Sequence, residues 1–414
     1  MTRPSTETRP DTRTRPDTPA TRVSGPGHVY AVDLVRVLTF ASVIAVHTVA
    51  TVNPPDSVPA GGATMLLHFT REAFFALTAF VLVHRYRDGL HVVPFWRRRF
   101  LLVGAPYVFW SVIYSGLALI TAPPPTETLS GALAQLGRSL LTGAAWYHLY
   151  FLVVMMQFYL LFPLFRWLLR AAAGKRGRHH RLLAISAVLQ VGIDAGLHFA
   201  HPSGIAAELM SHAFSFVGSY VFYLVLGGVA ALHAEEVQAW VRRHPATVLV
   251  VFVLTGAAAE GWYLRSVRGG SSPAYAYDVF QPVMVPWCVA VMTALFALGV
   301  SWAARRGAGP GSRAVEISSD RSFGVFLVHP MVLWTLTLGP AAWLSTRVSA
   351  LCSTVIAFAA TVSVSLLVVE VLRHSPLSMV LTGKRRSPRG RAVRSRRFES
   401  SASAPPIRLG AGRT

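Results

Sequence analysis

The sequence predicts an all-α, polytopic integral membrane protein with about ten transmembrane helices and both termini in the cytoplasm. Three observations predict it. Of the 414 residues, 53% come from the set AVILMFWYC. Only 14% are charged, where a soluble domain carries roughly 25%. The Lys and Arg residues are gathered into short segments that alternate with long apolar runs. A net charge of +21 on its own points to nucleic acid. Joined to this apolarity, it points instead to basic cytoplasmic loops, a lipid bilayer as partner and no nucleic acid.

A spanning helix needs about 20 mostly apolar residues. Runs of that kind lie at about 30–52, 62–84, 100–121, 146–169, 182–200, 210–232, 245–264, 281–304, 322–344 and 348–372. Their borders follow the charges. A Thr-, Pro- and Arg-rich tail at 1–28, with no apolar centre, precedes the first run and reads as disordered. Basic residues at 85–99 close the second, those at 166–181 the fourth, and Arg242 and Arg243 the sixth. Arg305, Arg306, Arg313 and Arg321 stand between the eighth and ninth, and a basic tail at 374–414 follows the tenth. Between the other runs stand only Arg138, Arg265, Arg268 and Arg347. Thirty-three basic residues on one side against four on the other support an even span count, with both tails inside. The fifth and sixth runs are the least apolar, because 186–215 contains Asp194, His198, His201 and Glu208. The run KRRSPRGRAVRSRR at 384–397 is expected to lie on anionic lipid.

Ionisable groups inside a span mark function by default. In the first span, Arg36 precedes His47 by eleven residues. That is about 16 Å of helix rise, and eleven steps of 100° return to nearly the same face. Asp33 and Arg36 also stand one turn apart, as a local ion pair would. The second span opens HFTREAFF, which sets His68, Arg71 and Glu72 on one face. Glu72 either forms a structural ion pair with Arg71 or, falling at a depth within reach of His47, orients that imidazole as a carboxylate can. Trp146, Tyr147 and Tyr150 suit an interfacial aromatic belt, which leaves His148 and Gln157 unexplained. In the ninth span, Pro330 follows His329 and leaves the carbonyl one turn earlier without its donor. Cys288 and Cys352 lie in separate apolar runs and form neither a disulfide framework nor a zinc site. Phosphate-loop, zinc-protease and nucleophile-elbow motifs are missing from the sequence, and no metal ligand set is expected.

These motifs resemble the membrane acyltransferase-3 family. The resemblance is carried by D-L-V-R-V-L and V-H-T within 33–48, F-F-A-L-T-A-F at 74–80, and F-W-R-R-R-F with P-Y-V-F-W-S within 95–111. W-Y-H-L-Y-F-L and Q-F-Y-L-L-F-P within 146–163 and S-F-G-V-F-L-V-H-P at 322–330 complete it. The family's R-x10-H signature falls on Arg36 and His47. The family often has Ser-Gly where this chain has Thr78 and Ala79. A second arginine that usually follows the basic motif is replaced by Phe100, Leu101 or Leu102.

The resemblance implies an acyltransferase domain over 29–373. It would move an acyl group, with acetyl-CoA the expected donor, from the cytoplasm to a hydroxyl of an envelope glycan, a lipid-linked sugar or a small secondary metabolite. The donor is a substrate, and no tightly bound cofactor is expected. In that reaction His47 is the expected base, Glu72 fixes its tautomer, and Arg36 meets the thioester or the donor phosphates. Arg97, Arg98 and Arg99 hold the coenzyme A phosphates. Arg71, Tyr147, His148, Tyr150 and His329 are the other expected substrate contacts. The competing expectation is a polysaccharide or small-molecule exporter without acyl transfer, which ten spans and midplane charges also fit.

Overall fold

The computed structural model describes residues 30–121, 128–173, 177–339 and 346–386. The tail read at 1–28 and the greater part of the basic tail lie outside the described residues. Among the described residues every regular element is helical. Eight helical segments are long and apolar enough to cross a membrane, or nine if one sharply bent pair counts as a span.

Helix α1 (Tyr30–Val52) has 23 residues, or about 34 Å of rise, enough for a hydrocarbon core of about 30 Å. The second expected span is broken at residues 68–69 into α2 (Val58–Leu67) and α3 (Thr70–Arg85). The third and fourth are α4 (Val92–Thr121) and α6 (Tyr150–Ala173). Between them lies the short α5 (Leu129–Thr142). It ends on Gly143, whose φ of 78° needs a residue without a Cβ. That turn brings residues 146–150 back over the bundle.

The fifth span is α7 (Arg178–Phe199). The sixth does not form one helix. Residues 205–220 fold as α8 (Ile205–Ser211) and two 3-10 turns, and only α9 (Val221–Leu232) is regular. Twelve residues rise about 18 Å, too little to cross alone. Irregular backbone at membrane depth survives only where protein groups satisfy it, and two glutamines do so here. Gln157 of α6 donates to the Ser215 carbonyl at 2.6 Å and accepts from the Val217 amide at 2.9 Å. Gln190 of α7 donates to the Ser219 carbonyl at 2.8 Å and accepts from the Phe222 amide at 3.3 Å. Gln190 also donates to Asp194 at 2.9 Å, which gives that buried carboxylate a partner.

Helix α10 (Ala234–Arg243) turns 91° from α9 at His233. Then follow α11 (Pro245–Arg268), α12 (Pro273–Ala276), α13 (Met284–Arg305), α14 (Pro310–Thr337) and α15 (Ala350–Arg373). The ninth expected span lies in α14, which is less apolar overall because Arg313, Glu316, Asp320 and Arg321 occupy its first half.

The stretch 374–386, read as part of the tail from its charge, instead contains α16 (Ser378–Thr382). Leu381 and Thr382 are buried, and Trp110 of α4 donates to the Leu381 carbonyl at 3.0 Å. The apolar residues in SMVLT outweigh the basic residues that follow.

Helix α1 is central, packed against α2, α3, α13, α14 and α15. Helices α3 and α9 meet closely, since a Cβ on Gly227 would strike the backbone of Ala76. Close approach through small residues is how helices associate without a hydrophobic driving force. Outward-facing apolar side chains on α7, α11 and α15, such as Val188 at 74% exposure and Leu254 at 63%, suit lipid and not water.

Replacing Gln190 with Leu strands one carbonyl and one amide of the broken sixth span. Each stranded group costs about 1–3 kcal/mol. Melting followed by intrinsic fluorescence in detergent should show a Tm lowered by several degrees for Gln190→Leu and for Gln157→Leu. Substitution of exposed Gln135 should leave it unchanged.

Candidate active site

Four helices, α1, α3, α6 and α14, surround two cavities stacked along the bundle. The first cavity has a volume of about 500 Å³ and is lined by His47, Arg71, Tyr147, His148 and Tyr150, among others. His47 is half-buried. Its ring centroid lies 4.5 Å from that of Tyr147 and 5.6 Å from that of His329, the two imidazoles being tilted by only 27°. His148 and His329 are also 5.6 Å apart, so three imidazoles converge, from α1, α14 and the turn that leads into α6.

His329 stands behind this group, fully buried. Its Nδ1 lies 2.8 Å from the Phe326 carbonyl and 3.2 Å from that of Val325. Phe326 is four residues before Pro330, so its carbonyl is the one left without a helical donor. A carbonyl only accepts. In the neutral ring the proton therefore sits on Nδ1, leaving Nε2 as an acceptor. That Nε2, and both ring nitrogens of His148, are buried without a hydrogen-bond partner among the described residues.

Arg71 is 8% exposed and donates twice to Glu72 Oε1, at 2.9 and 2.7 Å. Its guanidinium lies over the rings of Phe214, Tyr220 and Phe280 at 4.9–5.4 Å. Aromatic faces and one carboxylate thus hold a cation beside the cavity.

The second cavity, about 290 Å³, is lined by Arg36, Arg99, Lys384, Tyr159, Ser319 and Asp320, together with apolar residues. Arg36 donates to Ser319 Oγ at 3.2 Å, and Ser319 donates to Asp33 Oδ1 at 2.9 Å. Arg99 lies over the rings of Phe95 and Tyr159 at 5.8 and 5.6 Å. Lys384 donates to Asp320 at 2.7 Å, which ties the end of α16 to α14. Other basic residues close the same end of the bundle. Arg166 and Arg170 donate to the carbonyls of Tyr86 and Arg87 at 2.9 and 2.7 Å, and Arg321 donates to Glu370 at 2.7 Å.

Between the cavities lies a layer of four phenylalanines, one from each helix. Phe40 and Phe74 have centroids 4.3 Å apart, Phe40 and Phe326 6.2 Å, Phe74 and Phe151 5.7 Å, and Phe151 and Phe326 5.4 Å. Phe74 and Phe151 line both cavities.

Several sequence expectations change. His47, Arg71, Tyr147, His148 and Tyr150 do gather at one cavity, with His329 behind them. Arg36 and His47 share a stripe of α1 but open to different cavities. Glu72 pairs with Arg71 and makes no hydrogen bond or ion pair with His47 among the described residues. The neighbours of His47 are Tyr147 and His329. Position along a helix does not say which way a side chain points. The break at residues 68–69 also takes His68 off the face of α3, and its Nδ1 meets the Tyr277 carbonyl at 2.8 Å. Arg97 and Arg98 are exposed, and Arg99 alone of the three lines the second cavity. Ser319 and Lys384 escaped the sequence reading, the first among the polar residues opening α14, the second inside a basic run assigned to lipid.

Among the described residues no cluster of three His, Cys, Asp or Glu could hold a metal ion. No curated protein and no solved structure matches the chain. One family model, described as an acyltransferase domain, matches residues 29–370. That match takes in all four site helices and the lining of both cavities apart from Gly383 and Lys384, and the chain therefore belongs to the membrane acyltransferase-3 family.

Proposed function

We propose that the protein moves an acyl group, acetyl in the first instance, from acyl-CoA in the arginine-lined cavity to a hydroxyl compound in the imidazole-lined cavity. The observation that carries this reading is the division of labour along α1. Arg36 faces a cavity rich in cations, and His47 faces one rich in imidazoles. Arg36, Arg99 and Lys384 supply the charge that a donor's phosphates require. The basic residues crowded at that end support a cytoplasmic placement for it, in keeping with the positive-inside rule.

His47 acts as general base in this reading. The acceptor oxygen attacks the thioester carbonyl carbon, the C–S bond breaks, and coenzyme A leaves as the thiolate. His47 takes the hydroxyl proton and passes it to that thiolate, so the products are an ester and free coenzyme A. His329, with its tautomer fixed by the Phe326 carbonyl, holds the stacked ring of His47 in place. Tyr147, Tyr150 and the guanidinium of Arg71 offer stacking and hydrogen bonds to a sugar or another polyhydroxyl acceptor. The exporter reading gives no account of a cavity lined by three cations beside a phenylalanine barrier.

Mass spectrometry of envelope glycans and extractable metabolites, with and without the protein, should reveal products that lose an acyl increment when it is removed. Identical product masses would end the acyl-transfer reading. His47→Ala should lower transfer by about 10²–10⁴-fold, the usual contribution of a positioned base, while membrane insertion and Tm stay near wild type. Arg99→Ala and Lys384→Ala should each raise the KM for acyl-CoA about tenfold, the effect of losing about 1.4 kcal/mol of binding. Their kcat should change little.

A further inference from the structure

The two cavities are distinct, and the residues that stand between them are apolar. Phe40 stands one turn along α1 from Arg36, and His47 lies seven residues further on, about 10 Å away. The partition is built one ring at a time from α1, α3, α6 and α14. Each ring meets its neighbours at centroid separations of 4.3–6.2 Å, the range of rings in direct contact. On one side of it stand Arg36, Tyr159 and Ser319, and on the other His47, Arg71 and His148. Apolar residues packed between two polar chambers keep water and ions from passing. Catalysis across a bilayer without such a seal would leak protons and expose the thioester to hydrolysis.

We propose that Phe40, Phe74, Phe151 and Phe326 form a closable septum that the acyl end of the donor crosses, and that its tight fit restricts the transferred group to short acyl chains. The acyl part rests on the function proposed above; the barrier itself does not. Phe74 and Phe151 touch both chambers, so rotation of either side chain about its two torsions joins them. The opening left by one displaced ring suits a methyl or ethyl group beside the thioester. An extended alkyl chain would need several rings displaced at once.

The barrier is tested without any substrate. Cys352→Ser removes the exposed native thiol and leaves Cys288, which is buried. Ala50→Cys then places a thiol at the imidazole-lined cavity. In sealed, oriented vesicles a charged, membrane-impermeant thiosulfonate is added only at the arginine-cavity face. Little labelling is expected in this background, and labelling at least tenfold faster once Phe74→Ala and Phe151→Ala are added. Rapid labelling in the parent background would overturn the septum, and so would continued protection after both substitutions. Labelling of the same thiol from the opposite face shows that the variant is folded. If the double alanine variant does not fold, Phe74→Leu is read in its place, with intermediate labelling expected.

Acyl choice is read in membranes given equal acetyl-CoA and butyryl-CoA, by product mass. The parent should prefer acetyl, and Phe74→Leu or Phe151→Ala should lower the acetyl-to-butyryl ratio about tenfold. An unchanged ratio in an active variant would overturn the size filter. Consumption of neither donor by the parent would overturn the acyl-transfer reading and the filter with it, while the labelling result would still decide the barrier.

Discussion

A polar group at the depth of the hydrocarbon must find its partner inside the protein, because lipid offers none. This requirement explains most of the features that depart from plain apolar helices. Residues 213–220 leave the α-helical path only because Gln157 and Gln190 stand on neighbouring helices to meet the freed backbone groups. Pro330 removes a donor from α14, and His329 returns one. Arg71 is held by Glu72 and three aromatic faces. In each case the deviation and its compensation are close in space, and in the first and third, part of the compensation comes from elsewhere in the chain.

The same requirement separates what the sequence discloses from what it hides. Apolar runs of spanning length are legible because a helix that faces lipid or protein at every position has no need of polar residues. The imidazoles His47, His148 and His329 are legible for the complementary reason, since each is costly in its run. Hydropathy cannot distinguish an α-helix from two 3-10 turns of the same composition, and so the sixth span read as continuous. Nor can it single out Phe40, Phe74, Phe151 and Phe326 among 23 phenylalanines, because an aromatic residue in a barrier and one facing lipid look alike in the chain. Lys384 was obscured by its basic neighbours, although the four apolar or small residues SMVL just before it are the signal that the chain docks there.

Glu72 shows where reasoning from depth stops. A carboxylate at the level of a histidine is an attractive orienting group, but it sits next to Arg71 in sequence, and adjacent opposite charges in a low dielectric find each other first. Of the two partners the sequence offers Glu72, the neighbouring Arg71 is the one it meets. The orienting role passes to a backbone carbonyl released by proline, acting on His329, while His47 leans on that second ring.

The layering follows from where charge is tolerable. Guanidinium and ammonium groups collect at one end, where Arg36, Arg99 and Lys384 reach Ser319, Asp320 and the aromatic faces around them. In the other cavity imidazoles replace most of the permanent cations, because an imidazole can be buried as a neutral ring and still exchange a proton. The exception, Arg71, carries its own carboxylate. Between these two environments any polar side chain would need a partner in both chambers and would form a water path between them. Phenylalanine, bulky and without a hydrogen-bonding atom, fills the space and makes no such path. Four helices converging at that level need four such residues, and α1, α3, α6 and α14 each supply one.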